Sequence, residues 1–387
     1  MTTGRSITIN GQVYRADEFA SGGRPGWAED WPFGAELSDF LRDWFEEGDG
    51  LTVWTSGSTG PPRAAPVSKE SMWRSAGLTC TFLDLRAGQS ALLCLPLNYI
   101  AGKMMVVRAL WAGLDLWPMT PASNPLAALS AAPDFAALTP MQVYESLADR
   151  RTAELLGRIG RVIIGGGAVD KGLAERLRPL PGAVYSSYGM TETLSHIALR
   201  RLSGPEAEDW YRPLPGIKLS LTARGTLVIE APAVAETAVV TNDLAEIDPL
   251  GRFLILGRLD NIINTGGLKV RVEELEEILA PALPAPFAIT SAPDERLGQM
   301  VVLVLEGREP ERLAGMARSA LERLIREHRL APFQKPRRIV TVESLPRTET
   351  GKPARQRIAG LLEALLGAAP DPGPGPPDAE GHGQGGG

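Results

Sequence analysis

The chain has 387 residues, 44% of them hydrophobic, and a formal net charge of −6. That length accommodates about two or three domains with real cores, and the mild negative balance without a basic stripe argues against nucleic acid as a partner. Anionic substrates would have to be held by local cations. The opening MTTGRSITINGQVYRADEF has no apolar stretch like a signal peptide. The most apolar region, residues 90–116, is broken by Asn98, Lys103 and Arg108, which argues against a membrane span; a cytoplasmic location is expected. Cys80 and Cys94 sit amid apolar neighbours and read as buried thiols. With only His196, His328 and His382, a histidine-rich metal cluster is not expected.

In chain order, Leu51 to Trp54 reads as a short strand feeding the loop TSGSTG, and Ser68 as the N-cap of a helix through Met72, Ala76 and Phe82. RVIIGGG (residues 161–167) and AVYSSYG (183–189) each read as a buried strand ending in a turn, an α/β pattern with polar loops at strand ends where ligands bind. From Leu214 to Leu256 short strands and turns predict a small antiparallel sheet or barrel. A domain boundary falls near Gly257 to Asn261, dividing the chain into residues 1–257, 258–366 and a tail, 367–387. Beyond it, Val272 to Leu279 predicts a short amphipathic helix and MVVLVLEG a strand. Leu313, Met316, Ala317, Ala320, Leu321, Leu324, Ile325 and His328 form one face of a longer helix. On that face His328 is expected to be a core or boundary residue. The Pro/Gly-rich tail has no apolar anchor and is expected to be disordered, leaving His382 without a role.

Several segments carry chemistry. Thr55, Ser56, Gly57, Ser58, Thr59 and Gly60 offer short donors and open backbone for a chain of phosphates. They do not form GxxxxGK[ST], because no Lys-Ser or Lys-Thr closes the run and the basic residue comes later, at Arg63. Tyr188 offers a flat ring beside a glycine, and Glu192 a carboxylate for a magnesium ion. Asp243 can accept two hydrogen bonds from a diol, and Arg258 can donate to a sugar or phosphate. Lys352, in LPRTETGKPAR, is a cation suited to bridging two anions as charge develops between them.

The ordered series resembles the adenylate-forming superfamily of acyl-CoA synthetases, peptide-synthetase adenylation domains and luciferases, over about residues 51–362. The resemblance implies a large N-terminal α/β domain with a small β-rich subdomain, then a small mobile α+β domain. It implies that TSGSTGPPR holds the phosphates of ATP, that Gly165, Gly166, Gly167 and Ala168 lie against adenine, and that Tyr188, Gly189 and Met190 stack it. Thr191 would touch the α-phosphate and Glu192 bind Mg2+; Asp243 and Arg258 would hold the ribose, with Lys352 the catalytic lysine. Asp260 matches the hinge, and Gly267 a site beside the coenzyme A channel. The reaction implied is formation of an acyl adenylate, then displacement of AMP by a thiol.

Substrate choice is expected from Tyr99, Lys103, Arg108, Ser195 and His196, polar and cationic groups within apolar segments. Such groups suit a second carboxylate or a ketone, and the pattern resembles the 2-succinylbenzoate–CoA ligases of menaquinone synthesis. In that subgroup the position of Arg108 generally carries a cation; as residues alone, Arg108 could equally be a surface charge on the back of a helix. Two other readings are another aryl- or acyl-CoA ligase, or an enzyme loading a carrier protein. For an amino acid the latter would want an acidic pocket residue. A catalytically inactive nucleotide-binding regulator is opposed by the retention of Glu192, Asp243, Arg258 and Lys352. Arg63 and Asn242 depart from the lysine and glycine usual in the superfamily, and the region before Thr55 is far shorter than in most relatives. The shortening is expected to bare apolar surface that a second copy of the chain, in a homodimer, would cover.

Overall fold

The computed structural model describes residues 6–20, 25–30, 33–55, 63–283, 285–347 and 353–367. Ser56, Gly57, Ser58, Thr59, Gly60, Lys352 and residues 368–387 lie outside the described residues, as do the side chains of Thr55, Arg63 and Thr191. The chain forms two compact units. Among the described residues, one runs to Ile262 and takes in Arg271–Pro281, and the other holds Ile263–Val270, residues 282–347 and residues 353–367.

A nine-stranded sheet organises the first unit. Its middle is parallel, in the order Ala183–Gly189, Arg161–Ile164, Phe135–Leu138, Ser90–Leu93, Asp115–Pro118 and Ser6–Ile9. His196–Arg201 and Arg212–Pro213 extend one edge antiparallel, and Gln12–Arg15 the other. The central strands are short apolar runs because both faces are buried. Successive side chains point to opposite faces, so Ala91, Leu93, Phe135, Ala137 and Ile163 enter one core, and Leu92, Ala136, Leu138, Val162 and Ile164 the other. Helices Lys69–Phe82 and Ile100–Ala112 contribute to the first core through Met72, Ala76, Met104 and Met105. Helices Pro140–Ala148, Arg150–Arg158 and Lys171–Leu177 contribute to the second through Val143, Leu155, Leu156 and Leu173. Ser68 caps the first of these helices as the sequence predicts, its hydroxyl accepting from the N–H of Ser71 at 3.0 Å.

The short N-terminal region does more than its length suggests. Ile7, Ile9, Phe19, Phe33, Leu37, Phe40, Leu41 and Trp44 are all buried in the first core, several of them on the helix Gly34–Phe45. At this face the chain covers part of its own first core. Residues 218–258 form the expected antiparallel sheet, an open one of Lys218–Leu221, Thr226–Glu230, Val239–Ile247 and Phe253–Arg258.

In the second unit Phe287–Asp294 and Gly298–Glu306 make a hairpin, and Arg338–Val342 joins it in parallel. Ile358 and Leu362 of the helix Arg355–Gly367 are buried with its residues Ala288, Val302 and Val304. Helix Pro310–Arg326 buries Ala317, Ala320, Leu321 and Leu324. The predicted face is narrower than its pattern: Met316 is exposed. His328 is exposed as well, beyond the end of the helix with φ of 55°. Leaving the helix in a left-handed conformation turns it off the apolar stripe, so it is neither a core nor a boundary residue.

Among the described residues no helix is long and apolar enough to cross a membrane. Helix Ile100–Ala112 is pressed against the chain leaving strand Ser90–Leu93, since a Cβ on Gly102 would lie 2.3 Å from the carbonyl oxygen of Pro96. Gly102→Ala is expected to cost roughly 1–3 kcal/mol in urea unfolding through overpacking. Gly315→Ala, in helix Pro310–Arg326 where an added Cβ meets nothing within 4 Å, is expected to gain about 0.5–1 kcal/mol. A reversal of the two signs, or no difference between the two variants, would contradict this packing.

Candidate active site

Two of the predicted segments lie at the carboxyl ends of parallel strands, where open α/β sheets place ligand-binding loops. Gly165, Gly166, Gly167 and Ala168 follow strand Arg161–Ile164, and the N–H of Gly165 donates to the carbonyl of Leu138 at 3.0 Å. Strand Gly50–Thr55 pairs antiparallel with Arg63–Ser68, so Thr55 and Arg63 face each other across the base of the hydroxyl-rich loop. Thr191 and Glu192 lie in a short 3-10 turn, Thr191–Thr193, at the end of strand Ala183–Gly189, and Glu192 is exposed.

One cluster is built around Tyr188. Its hydroxyl donates to Oδ2 of Asp243 at 2.6 Å, and burial, followed by Asp243, raises its pKa. The ring packs edge-on against Phe253, with centroids 5.2 Å apart, and tilted against Tyr211 at 5.9 Å. Asp243 stands opposite Arg258 in the strand register. Nη1 of Arg258 donates to Oδ1 of Asp243 at 3.3 Å, while its Nε and Nη2 grip Asp260 at 2.9 and 2.8 Å. Tyr188, Asp243, Arg258 and Asp260 thus form one hydrogen-bonded row that joins three separate stretches of the sequence.

The return from this strand creates a second cluster. Gly189 pairs with His196 so closely that a Cβ on Gly189 would lie 2.3 Å from the carbonyl oxygen of Ser195, which is why the segment carries glycine there. Between them, the hydroxyl of Thr193 accepts from the N–H of Met190 at 3.1 Å and reaches the Ser195 carbonyl at 2.9 Å. Leu194 is buried with φ of 62°, a backbone state costly for a branched residue. This tight turn directs Ser195 and His196 back toward the helices.

Arg108 meets them there. It is 3% exposed, on helix Ile100–Ala112, so it is not a surface charge on the back of the helix. Nη2 donates to Oγ of Ser195 at 2.7 Å and Nη1 lies 3.6 Å from Sδ of Met105, but the buried Nε–H has no partner. No carboxylate offsets the charge among the described residues, and burial pushes the guanidinium down to about 10. His196 is buried too, with Nε2 3.0 Å from Oγ1 of Thr79 and Nδ1 3.4 Å from Oγ of Ser195. Burial, then Arg108, holds its pKa well below the ordinary value.

Lys103 is not brought to this cluster. It lies five positions from Arg108, about 140° around the helix, and its Nζ donates to the carbonyl of Thr52 at 2.8 Å. The ammonium also stands over the Phe40 ring at 5.8 Å, and burial lowers its pKa against the pull of Asp43. Tyr99 is half-buried and precedes the same helix at its N-cap. Gly267 belongs to the second unit, in the turn between strands Ile262–Thr265 and Leu268–Arg271. Sequence reasoning missed Thr79, Tyr211 and Phe253. The first lies in a helix whose polar residues give no chemical pattern, and the others meet Tyr188 only through tertiary packing.

A magnesium ion carried by a nucleotide needs few protein ligands, because phosphate oxygens and water fill most of its shell. The residues present fit that case: Glu192 is an exposed carboxylate, and among the described residues no group of three or more His, Cys, Asp or Glu forms a cage of its own.

Residues 43–228 match the model of the AMP-binding enzyme family. The crystal structure of an acyl-CoA synthetase (AMP-forming)/AMP-acid ligase II-like protein from Dyadobacter fermentans is 37% identical; the match covers 88% of this chain and 96% of that one, with a TM-score of 0.59. The 4-chlorobenzoate–CoA ligase of an Arthrobacter species is 26% identical, covering 84% of this chain and 68% of that protein. A probable 2-succinylbenzoate–CoA ligase of Mycobacterium tuberculosis is 29% identical, covering 82% and 85%. The chain belongs to the AMP-binding enzyme family and, within it, to the AMP-forming acyl- and aryl-CoA ligases with the adenylate-forming fold. Two relatives with different acids stand at similar identity, so the family leaves the acid open.

Cys80 borders the second cluster, with Sγ 3.8 Å from the Arg108 carbonyl. Burial pushes its thiol up to about 12, against the opposing pull of Arg108. A thiol that ionises at about 8.5 when unfolded therefore adds stability that is intact below that pH and is lost as pH rises toward about 12. The stability difference between wild type and Cys80→Ala should shift against wild type between pH 8 and pH 10.5 in urea unfolding. A constant difference would contradict the buried, neutral thiol.

Proposed function

We propose that the enzyme activates a carboxylic acid bearing a second carboxylate, of the 2-succinylbenzoate class, and delivers it to coenzyme A as 2-succinylbenzoyl-CoA for menaquinone synthesis. The observation that carries this reading is Arg108, buried with an unpartnered Nε–H and no countercharge. A charge kept in an apolar interior calls for an ionic partner, and a substrate anion is the partner a ligand pocket supplies. Ser195, held at 2.7 Å by Arg108, offers a hydroxyl to the same group.

Two half-reactions follow. A carboxylate oxygen of the acid attacks the α-phosphorus of ATP, the bond to the β-phosphate oxygen breaks, and pyrophosphate leaves. Then the coenzyme A sulfur attacks the acyl carbon, the bond to AMP breaks, and the thiol proton passes to solvent. Thr55, Ser56, Gly57, Ser58, Thr59, Gly60 and Arg63 hold the phosphates, and Gly165 to Ala168 with Tyr188, Gly189 and Met190 hold adenine. Asp243 retains acceptor capacity for a ribose diol beside its bonds to Tyr188 and Arg258. Thr191 contacts the α-phosphate, and Glu192 holds the nucleotide's magnesium ion, which offsets phosphate charge when bound. Lys352 bridges carboxylate and phosphate oxygens as they approach. Asp260, just before the boundary at Ile262, is the hinge, and Gly267 borders the coenzyme A path. Lys103 serves the substrate site indirectly, through the strand that enters the phosphate loop. A cytoplasmic site of action accords with the use of ATP and coenzyme A.

Arg108→Ala tests the assignment through pyrophosphate release. Removing the cation leaves the second carboxylate unpaired, at a cost of roughly 2–5 kcal/mol, which corresponds to a rise in KM for 2-succinylbenzoate of about 30- to 4,000-fold. The monoacid 4-oxo-4-phenylbutanoate should lose far less, and KM for ATP should barely move. Equal losses on both acids would overturn the diacid and favour a monocarboxylic aryl substrate.

A further inference from the structure

The bonds around Arg108 have a direction. Thr79 donates its one hydroxyl proton to the carbonyl of Ser75 at 3.2 Å, so toward Nε2 of His196, 3.0 Å away, it is an acceptor and the imidazole carries its proton on Nε2. A neutral ring protonated there leaves Nδ1 bare, facing the Ser195 hydroxyl at 3.4 Å. Guanidinium nitrogens only donate, so Ser195 accepts from Arg108 at 2.7 Å and is left to donate to Nδ1. Each proton shared along the path from Nη2 of Arg108 through Ser195, His196 and Thr79 to the Ser75 carbonyl then has one acceptor. The reverse tautomer would take the Thr79 proton from the Ser75 carbonyl to Nε2 and make Ser195 accept twice, leaving its own proton without an acceptor in this cluster.

The groups facing His196 favour that state. Helix Lys69–Phe82 presents Thr79, the turn presents the Ser195 hydroxyl, strand Ala183–Gly189 presents Gly189, and the charge of Arg108 on helix Ile100–Ala112 reaches the ring. No acid lies among the groups that shift its charge.

We infer that His196 is a positioning residue for acid selection: as a neutral Nε2–H imidazole it fixes the Ser195 hydroxyl, which aims the Arg108 guanidinium at the second carboxylate. This rests on the carboxylate reading of Arg108. His196 itself touches Thr79 and Ser195, and acts on substrate only through them.

The test compares His196→Leu and His196→Asn with Arg108→Ala, using kcat/KM for 2-succinylbenzoate and for 4-oxo-4-phenylbutanoate in the full chain with ATP and coenzyme A. His196→Leu removes the acceptor for Ser195 and should shrink the diacid-to-monoacid ratio by about 10-fold. His196→Asn places an amide oxygen near the position of Nδ1 and should recover most of that ratio. Equal loss on both acids in His196→Leu, with no recovery in His196→Asn, would mean plain core packing and overturn the inference. So would a full ratio in His196→Leu alongside a collapsed ratio in Arg108→Ala, which leaves the carboxylate reading intact. An unchanged ratio in Arg108→Ala would remove that reading and this inference together. Independently of folding in the variants, 15N spectra of the wild-type histidines should show a neutral Nε2–H form of His196 at pH 7; an Nδ1–H form or an imidazolium would overturn the relay.

Discussion

A cation enclosed without a countercharge is the constraint to which the packing around Arg108 answers. The desolvation penalty for a buried ion amounts to several kcal/mol even after relaxation. Arg108 recovers part of that through Ser195, but its Nε remains unpartnered. The surroundings hold it in place without neutralising it. Met104, Met105, Val106 and Val107 are buried on the same helix, and Gly102 lets that helix press against the Pro96 carbonyl. On the opposite side, the left-handed Leu194 and the close contact at Gly189 set where Ser195 stands. Local backbone strain of this kind is often found where a side chain must be aimed.

The cluster around Tyr188, proposed to hold the nucleotide, is organised differently. There the charges are balanced before any ligand arrives: Asp243 is met by Tyr188 and Arg258, and Arg258 by Asp260. The two clusters share a strand pair, since Tyr188 stands opposite Ala198 and Gly189 opposite His196. A displacement of strand Ala183–Gly189 would therefore reach the Asp243 row and the Arg108 relay together. Lys103 adds a further tie, between the helix of Arg108 and strand Gly50–Thr55.

Much of this was legible in the sequence, for reasons that can be named. Two of the parallel strands, Arg161–Ile164 and Ala183–Gly189, read as strands running into glycines, and Ser68 is a strong cap, so the α/β unit and the antiparallel region after Leu214 follow from local pattern. Tyr188, Asp243 and Arg258 stood out through ordered motifs, but their mutual bonding depends on strand register, which no motif encodes. Arg108 was legible as a cation in an apolar run, whereas its burial required the tertiary fold. Lys103 looked like its companion because both lie in one segment, yet helical phase separates them. The covering role of residues 6–45 was hidden because short helices with scattered aromatics give no long period. His328 was misread because the apolar pattern continues past the point where the helix ends.

The stability of the ligand-free protein tests the central claim most directly. If Arg108 is an uncompensated charge retained for a substrate anion, replacing it with an apolar side chain of similar length should relieve the fold even as it impairs diacid use. Arg108→Met is expected to be more stable than wild type in urea unfolding without ligand, by roughly 1–4 kcal/mol. A variant of equal or lower stability would show that Arg108 is already compensated within the fold, and would contradict the account.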